Sequence, residues 1–354
     1  MPGNIAQLFD KSSDSVLGPR EPLFMRLEAK LKRELGETVL QALHSDETED
    51  IVLNPDSSLW VKRMGAGFHM VGTMSRAQST SAMNTIAAWK GTVLNHDRPI
   101  LETELPIDGS RFEGIVSPIV TSPAFAIRLR PRHIFTLEQY ESAGIISEKR
   151  DARNGTRVRA GFKDQVRGLN HADVIRAAIK ARKNILVVGA TGSGKTTLIN
   201  AILAELARIA PDDRVISIED TTELQCAVSN YVDLRATGNV SMLDCLRACM
   251  RLKPTRIVVG EVRGREAHAM LKAWNTGHPG GAATVHANDA LSGLIRLESL
   301  VAEATHAPQQ ELIAEAVDLV IFVDQEPSLQ AGRKVREVLV VSGYRDGRYE
   351  VEYV

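Results

Sequence analysis

The sequence predicts an α/β protein of two domains, in which a three-layer domain with a mostly parallel sheet follows a smaller α+β domain. Three observations support this prediction. The chain has 354 residues, more than one domain usually contains. After residue 170, short apolar runs alternate with segments of helical periodicity, which is typical of βαβ units. Before residue 150, strand-like runs and turns dominate, and helical segments are few.

The first domain is expected over residues 22–147, behind a tail at 1–21 that is rich in Gly, Ser, Asp and Pro and is predicted to be flexible. The domain opens with an amphipathic helix, because leucines recur every four residues from Leu23 to Leu35. Packing is the expected role of this helix, and binding to an anionic membrane surface is the alternative. Strands are predicted within 50–73 and 100–130, and a helix over 79–95.

A basic segment at 148–168 is predicted to link the two domains, since Lys and Arg cluster there among glycines and polar residues. A solvated hinge is the expected role, and contact with nucleic acid or lipid is the alternative. The second domain is then expected over 169–354. Its predicted strands are Asn184–Val188, Arg214–Ile218, Arg256–Gly260, Ala282–His286 and Asp318–Val323.

Composition excludes several classes of protein. Apolar residues make up 44% of the chain and charged residues 25%, as in globular proteins that bury a core. The net charge of −1 and the 5% aromatic content argue against direct binding of nucleic acid. No apolar run is long enough to span a membrane, and no signal peptide is evident, so a cytoplasmic location is expected.

The most specific motif is Gly189-Ala190-Thr191-Gly192-Ser193-Gly194-Lys195-Thr196, which matches the phosphate-loop pattern G-x-x-x-x-G-K-[ST]. A strand candidate precedes it and a helix candidate follows it, which is the context that the motif requires. We expect these residues and Thr197 to bind nucleotide, with Lys195 on the β- and γ-phosphates and the Thr196 hydroxyl on Mg²⁺.

Polar residues follow three of the other predicted strands. Glu219, Asp220 and Glu223 come after the second strand, Glu261 ends the third, and His286 ends the fourth. Nucleotides bind at the carboxyl ends of the strands in such folds, so we expect these side chains to meet at the phosphate loop. The carboxylates suit Mg²⁺ binding or water activation, although an acidic turn that caps the next element is the alternative for Glu219 to Glu223. Glu261 resembles a Walker B residue. His286 is expected to contact the γ-phosphate, with an ordinary core or surface histidine as the alternative.

The order of these motifs resembles the secretion-ATPase family, which serves type II secretion, type IV secretion and type IV pili. The segment Ala273–Gly281 and the compact N-terminal half most resemble its conjugal-transfer branch, the TrbB-type ATPases. The resemblance covers roughly residues 22–345 and implies a P-loop (RecA-like) NTPase fold for the second domain. The chain has no paired C-x-x-C, which weakens a type II assignment.

The resemblance also implies roles for individual residues. Glu219, Glu223 and Glu261 are then candidates for water activation or metal support, with Thr196 and Glu261 on Mg²⁺, and His286 matches the family histidine near the γ-phosphate. Arg111 and Arg128 match arginines that reach the nucleotide, within one subunit or across an interface. They are expected to neutralise phosphate charge as arginine fingers do, with surface ion pairing as the alternative.

The function implied by the resemblance is an ATP-hydrolysing motor of type IV secretion or conjugal plasmid transfer, with ATP and Mg²⁺ as cofactors. A homo-hexameric ring is implied, as are inner-membrane secretion components as partners and peripheral association with that membrane. Hydrolysis is then expected to separate the two domains. The alternatives are a type IV pilus or type II secretion ATPase, a nucleic-acid motor, and a scaffold that binds ATP with little turnover.

Overall fold

The computed structural model describes residues 21–131, 136–146 and 160–354. The predicted tail, apart from residue 21, and residues 148–159 of the basic segment lie outside this part. No helix in the described ranges is both long and apolar enough to cross a membrane.

The N-terminal domain is built on an antiparallel sheet of six strands in the order β3-β2-β1-β6-β5-β4. Helices α1 and α2 pack on each other and on the sheet, around a core that includes Leu31, Leu35, Met83 and Phe125. The predicted helix and strand regions are therefore present. The elements are α1 (Glu21–His44), β1 (Thr48–Leu53), β2 (Ser58–Arg63), β3 (Phe68–Thr73), α2 (Arg76–Lys90), β4 (Ile100–Glu104), β5 (Arg111–Ile115), β6 (Ala124–Arg128) and α3 (Leu137–Ser142).

Helix α2 ends five residues before the predicted position, for a local reason. Gly91 follows Lys90 with φ of 74°, a left-handed conformation that glycine adopts easily, and its N–H bonds the carbonyls of Ala87 and Ala88. Residues 91–95, which the sequence pattern had included in the helix, therefore form a loop.

The C-terminal domain is built on an eight-stranded sheet in the order β14-β13-β12-β7-β11-β10-β8-β9. Its elements are α4 (Ala160–Val166), α5 (His171–Lys180), β7 (Ile185–Val188), α6 (Lys195–Ile209), β8 (Val215–Glu219), β9 (Tyr231–Arg235), α7 (Met242–Arg251), β10 (Arg256–Val259), α8 (Glu266–Asn275), β11 (Ala282–Val285), α9 (Ala290–Ala302), α10 (Gln310–Ala316), β12 (Leu319–Gln325), β13 (Arg333–Arg345) and β14 (Arg348–Tyr353).

This sheet is the middle of three layers. Helices α4, α5 and α6 cover one face, and α7 to α10 cover the other. The six strands from β9 to β12 in the sheet order are parallel, whereas β13 and β14 add an antiparallel edge. The structure confirms the predicted fold class, and all five predicted strands are present within one or two residues of their expected ends.

Part of the basic segment predicted as a linker is folded. Residues Ala160–Val166 form α4, and the side chains of Phe162 and Val166 are buried against α5 and the sheet. The Lys163 ammonium lies 2.5 Å from a carboxylate oxygen of Glu352, and Arg167 also pairs with Glu352. The described end of the segment is therefore attached to the C-terminal domain.

The two domains share a buried interface. Arg214, fully buried at the start of β8, donates from Nη1 to Oδ1 of Asn54 in the N-terminal domain at 2.6 Å and from Nε to the Leu252 carbonyl at 2.7 Å. Asn54 in turn donates to Oδ1 of Asn230 at 3.0 Å. Apolar residues of the N-terminal sheet, including Val52, also belong to the C-terminal core. Because both polar and apolar groups are buried across it, the interface holds the domains of one chain together.

Candidate nucleotide site

The phosphate loop connects β7 to α6 along the path that the sequence predicts. Strand β7 is buried between β11 and β12, and it ends at Val188, directly before the loop. Gly189 leaves no room for a side chain, since an added Cβ would lie 2.3 Å from the Val323 carbonyl oxygen. Gly194 precedes the first helical residue with φ of 96°, a left-handed conformation that strains other residues. The loop is therefore held close to its neighbours by backbone packing.

Lys195 is 8% exposed at the start of α6. Its ammonium lies 3.1 Å from the Gly189 carbonyl oxygen, 3.0 Å from that of Ala190, and 3.3 Å from Nδ1 of His286. Burial lowers the pKa of Lys195, and the nearby charge of Glu261 opposes that shift. The structure thus brings the predicted lysine and the predicted histidine together.

Glu219, the last residue of β8, is 2% exposed beside Gly260. Its Oε1 accepts hydrogen bonds from the N–H groups of Glu223 and Leu224, both at 3.0 Å, so the acidic turn folds around this carboxylate. Its Oε2 is buried without a hydrogen-bond partner. Burial raises the pKa of Glu219 to about 7, although the two backbone hydrogen bonds oppose the shift.

Glu261 follows β10 and is the centre of a charged network. One oxygen, Oε2, accepts from Nη2 of Arg263 at 2.7 Å, and Oε1 lies 2.8 Å from Nε2 of His286. Burial on its own would raise the pKa of Glu261, but the hydrogen bond and charge of Arg263, with the charges of His286 and Lys195, lower it below its usual value. This carboxylate is therefore held in its ionised form.

Arg263 is a site residue to which the sequence analysis assigned no role. Besides its contact with Glu261, its Nη1 donates to Oδ2 of Asp220 at 2.6 Å, which joins the Walker B segment to the acidic turn after β8. The only sequence signal was its place two residues after Glu261. The contact to Asp220 depends on β8 and β10 being neighbours in the sheet.

One cleft brings the predicted carboxylates to the phosphate loop. Its lining includes Thr196, Glu219, Glu223, Glu261 and Arg263. Glu223 is exposed at the rim, and its backbone carbonyl accepts from the Asn200 side chain at 3.0 Å. The carboxyl ends of β7, β8, β10 and β11 therefore supply the phosphate loop, Glu219, Glu261 and His286 at one edge of the sheet, as expected.

The residues at this edge fit a magnesium–triphosphate group. The hydroxyl of Ser193 is fully buried within the loop and has no hydrogen-bond partner, so a donor group is available there. Hydroxyl and carboxylate oxygens, such as those of Thr196 and Glu261, are the ligands that Mg²⁺ prefers. In the described ranges, no group of three or more His, Cys, Asp or Glu side chains could hold a metal alone. Mg²⁺ bound through phosphate oxygens needs only one or two protein ligands.

Arg111 and Arg128 lie away from the cleft at the phosphate loop. They pair across β5 and β6 and line a cavity of about 610 Å³ together with Met250, Arg251 and Lys253, which precede β10. Because β10 runs parallel to β7, the start of β10 is at the edge of the sheet opposite the phosphate loop. The structure therefore does not bring the two arginines to the phosphate loop of their own chain.

The same cavity contains a buried acid to which the sequence analysis assigned no role. Glu113, in β5, is 2% exposed, and neither of its carboxylate oxygens has a hydrogen-bond partner. Burial, with the charge of Glu102, raises the pKa of Glu113 to about 8, while Arg251 and Lys90 oppose the shift. This acid therefore favours its neutral form at neutral pH.

Comparisons with known proteins agree with this geometry. The family model for type II/IV secretion system proteins matches residues 34–327. A probable conjugal transfer protein TrbB of Sinorhizobium fredii is 42% identical over 327 residues, which cover 92% of this chain and 93% of the relative. The conjugal transfer protein TrbB of Rhizobium radiobacter is 43% identical over 328 residues, which cover 93% and 94%.

A solved structure supports the same assignment for the fold. The VirB11 ATPase of the Brucella suis type IV secretion system, in complex with sulphate, is 26% identical and matches with a TM-score of 0.81. The match covers 90% of this chain and 96% of that chain. The family resemblance seen in the motifs is thus confirmed. The chain belongs to the type II/IV secretion system protein family, and it is a P-loop ATPase of that family.

Proposed function

We propose that this chain is the ATP-hydrolysing motor of a type IV secretion or conjugal plasmid-transfer system. One observation carries the ATPase part, namely that Thr196, Glu219, Glu261 and His286 all lie beside the phosphate loop. The conjugal part is supported by the identity of 42% and 43% to two conjugal transfer proteins over nearly the whole chain.

Each residue at the site has a chemical role in this proposal. The loop N–H groups and Lys195 bind the phosphates, and Thr196 and Glu261 would hold Mg²⁺, which would neutralise phosphate charge. Glu219 accepts the proton of the attacking water, because a pKa of about 7 suits a general base at neutral pH. His286 stands between Lys195 and Glu261, where it can respond to the transferred phosphate. Glu223, exposed at the rim, is the weaker candidate for the base.

A homo-hexameric ring is part of the proposal. In such a ring, Arg111 and Arg128 would reach the nucleotide of a neighbouring subunit, since their own phosphate loop is at the other edge of the sheet. Supply of an arginine by a second molecule is an established way to stabilise phosphoryl transfer. The ring works at the cytoplasmic face of the inner membrane. Its proposed partners are membrane-bound secretion components.

The interface between the two domains bears on how hydrolysis would produce motion. Separation of the domains within one chain would expose the Arg214 guanidinium and break its bond to Asn54. Losing a hydrogen bond to a charged group costs about 1.5 to 3 kcal/mol, and the apolar contacts of residues such as Val52 with the C-terminal core would be lost as well. Motion between neighbouring subunits avoids that cost, so we place the moving interface there rather than within the chain.

The conjugal role is tested by plasmid transfer from donor cells that carry Lys195→Ala in this protein. We expect transfer to fall to background, because the variant cannot bind phosphate correctly. A matched control is Lys272→Ala, which removes an exposed lysine of α8. Normal transfer from the Lys195→Ala donor, with the protein present at its usual level, would contradict the conjugal assignment.

A further inference from the structure

The β12–β13 hairpin lies against the phosphate loop. Strand β12 is the parallel neighbour of β7, with Phe322 opposite Val188, so its next residues run beside the loop. The Val323 carbonyl packs on Gly189. The side-chain nitrogen Nε2 of Gln325 lies beside Gly192, where an added Cβ would be 3.6 Å from it. In the antiparallel ladder, Arg333 on β13 is the partner of Gln325.

Arg333 extends from this hairpin onto the start of α6. Its Nη1 donates to the Thr197 hydroxyl at 2.8 Å, and its Nε donates to the Ala331 carbonyl at 3.2 Å. The guanidinium also covers Gly194, where an added Cβ would lie 2.5 Å from Nη1. A side chain at position 194 would therefore displace the arginine.

The charge of Arg333 has no protein counter-ion in the described part of the chain. Lys163, Arg263 and Arg336 each lie within ion-pair distance of a carboxylate, but no such contact is formed by Arg333. Two of its five N–H groups are used, so the others remain available to an anion. An exposed arginine with spare donors, held at the first turn of a helix, is suited to phosphate.

The position of Arg333 indicates which phosphates it would contact. Lys195, with His286 and Glu261, is on the side of the loop where the γ-phosphate is expected. Arg333 contacts Thr197, two residues further along α6, and Gly194, so it approaches the loop from the hairpin side. The backbone of a phosphate loop binds the α- and β-phosphates.

We propose that Arg333 is a nucleotide-binding residue that pairs with the α- and β-phosphates, which ATP and ADP share. This inference rests on the proposed ATPase function, because it assigns a further residue to the same site. It gives the antiparallel edge of the sheet a role in holding the nucleotide through the whole hydrolytic cycle.

The test measures the Kd of a fluorescent ADP analogue and of a non-hydrolysable ATP analogue for the full-length protein. Loss of a charge-assisted hydrogen bond should raise both Kd values about tenfold in Arg333→Ala and leave their ratio unchanged. Arg333→Lys, which keeps the charge but loses the planar fork, should recover part of the affinity. Arg345→Ala, at the far end of β13, is the matched control and should bind as the wild type does.

Three results would overturn the proposal. Unchanged affinity for both nucleotides in folded Arg333→Ala would show that the side chain makes no phosphate contact. A loss confined to the ATP analogue would place Arg333 at the γ-phosphate instead. If the wild-type protein bound neither nucleotide, the proposed function itself would fail, which the wild-type measurement reveals before any variant is compared. Thermal melting of each variant shows whether it is folded. If Arg333→Ala does not fold, the comparison of Arg333→Lys with the wild type still tests the proposal.

Discussion

Nε2 of His286 lies 2.8 Å from Oε1 of Glu261, while Nδ1 of the same ring lies 3.3 Å from the Lys195 ammonium. An ammonium group only donates hydrogen bonds, so in the contact with Lys195 the ring acts as the acceptor through Nδ1, and Nε2 is the ring nitrogen nearest to Glu261. One imidazole thereby connects the phosphate-loop lysine with the Walker B carboxylate.

The first prediction concerns this ring. His286→Ala should lower kcat about 10²-fold, which is typical of losing one aligned polar group from a reacting centre, and should change ATP affinity much less. Steady-state ATP hydrolysis with a parallel binding measurement separates the two effects. The matched control is His278→Ala, whose ring contacts the Pro254 carbonyl at the opposite edge of the sheet. Equal loss of kcat in both variants would refute a specific role for His286.

The second prediction distinguishes the carboxylates. Glu219→Gln should lower kcat by about 10²-fold or more if Glu219 is the general base, and Glu223→Gln should have a much smaller effect. In the wild type, kcat should fall as the pH drops below about 7, because the base must be ionised to accept a proton. Single-turnover hydrolysis across pH measures both. A larger loss in Glu223→Gln would move the base to the rim of the cleft.

The third prediction concerns Arg263. Because its hydrogen bond and charge lower the pKa of Glu261, Arg263→Ala should raise that pKa and add a second ionisation to the acid limb of the pH–rate profile, below the one near pH 7 that Glu219 sets. The rate should fall as well, since Glu261 and Asp220 lose their shared partner. Arg265→Ala, an exposed neighbour, is the control. An acid limb in Arg263→Ala with the same single ionisation as in the wild type would show that Glu261 does not control the rate.

The fourth prediction is a pH dependence of stability. The pKa of Glu113 is about 8 in the folded chain and near 4.5 in the unfolded chain, so between these values the folded state binds the extra proton. The free energy of unfolding should therefore fall by a few kcal/mol as the pH rises from about 5 to about 8.

Glu113→Gln should weaken this dependence, because the amide does not titrate. Glu104→Gln, which changes an exposed acid of the adjacent strand, should retain it. Urea unfolding at several pH values measures the difference. If wild type and Glu113→Gln had parallel stability curves over this range, Glu113 would not be the group responsible.

Local sequence patterns were sufficient to predict much of this structure. The phosphate loop, its flanking strand and helix, and five of the six parallel strands are continuous segments, so their residue types carry the signal. The polar residues after those strands could be grouped at one edge because parallel strands all end there. The family motifs then gave the assignment that the comparisons confirmed.

Contacts between distant segments were not predictable in this way. Arg263 reaches Asp220, and Arg333 reaches Thr197, only because of strand order and a hairpin that single-sequence periodicity does not reveal. Strands β9, β13 and β14 were also absent from the predicted set. Placement of Arg111 and Arg128 at the far edge depends on how the two domains pack, which no local motif encodes.

The most direct test of the central claim is steady-state ATP hydrolysis by the purified protein and by Lys195→Ala, with the oligomeric state recorded in the same samples. We predict Mg²⁺-dependent turnover by a six-subunit wild-type species and none by the folded variant. Turnover that persists in Lys195→Ala would contradict the assigned site. ATP binding without turnover in the wild type would contradict the motor and favour a nucleotide-gated scaffold.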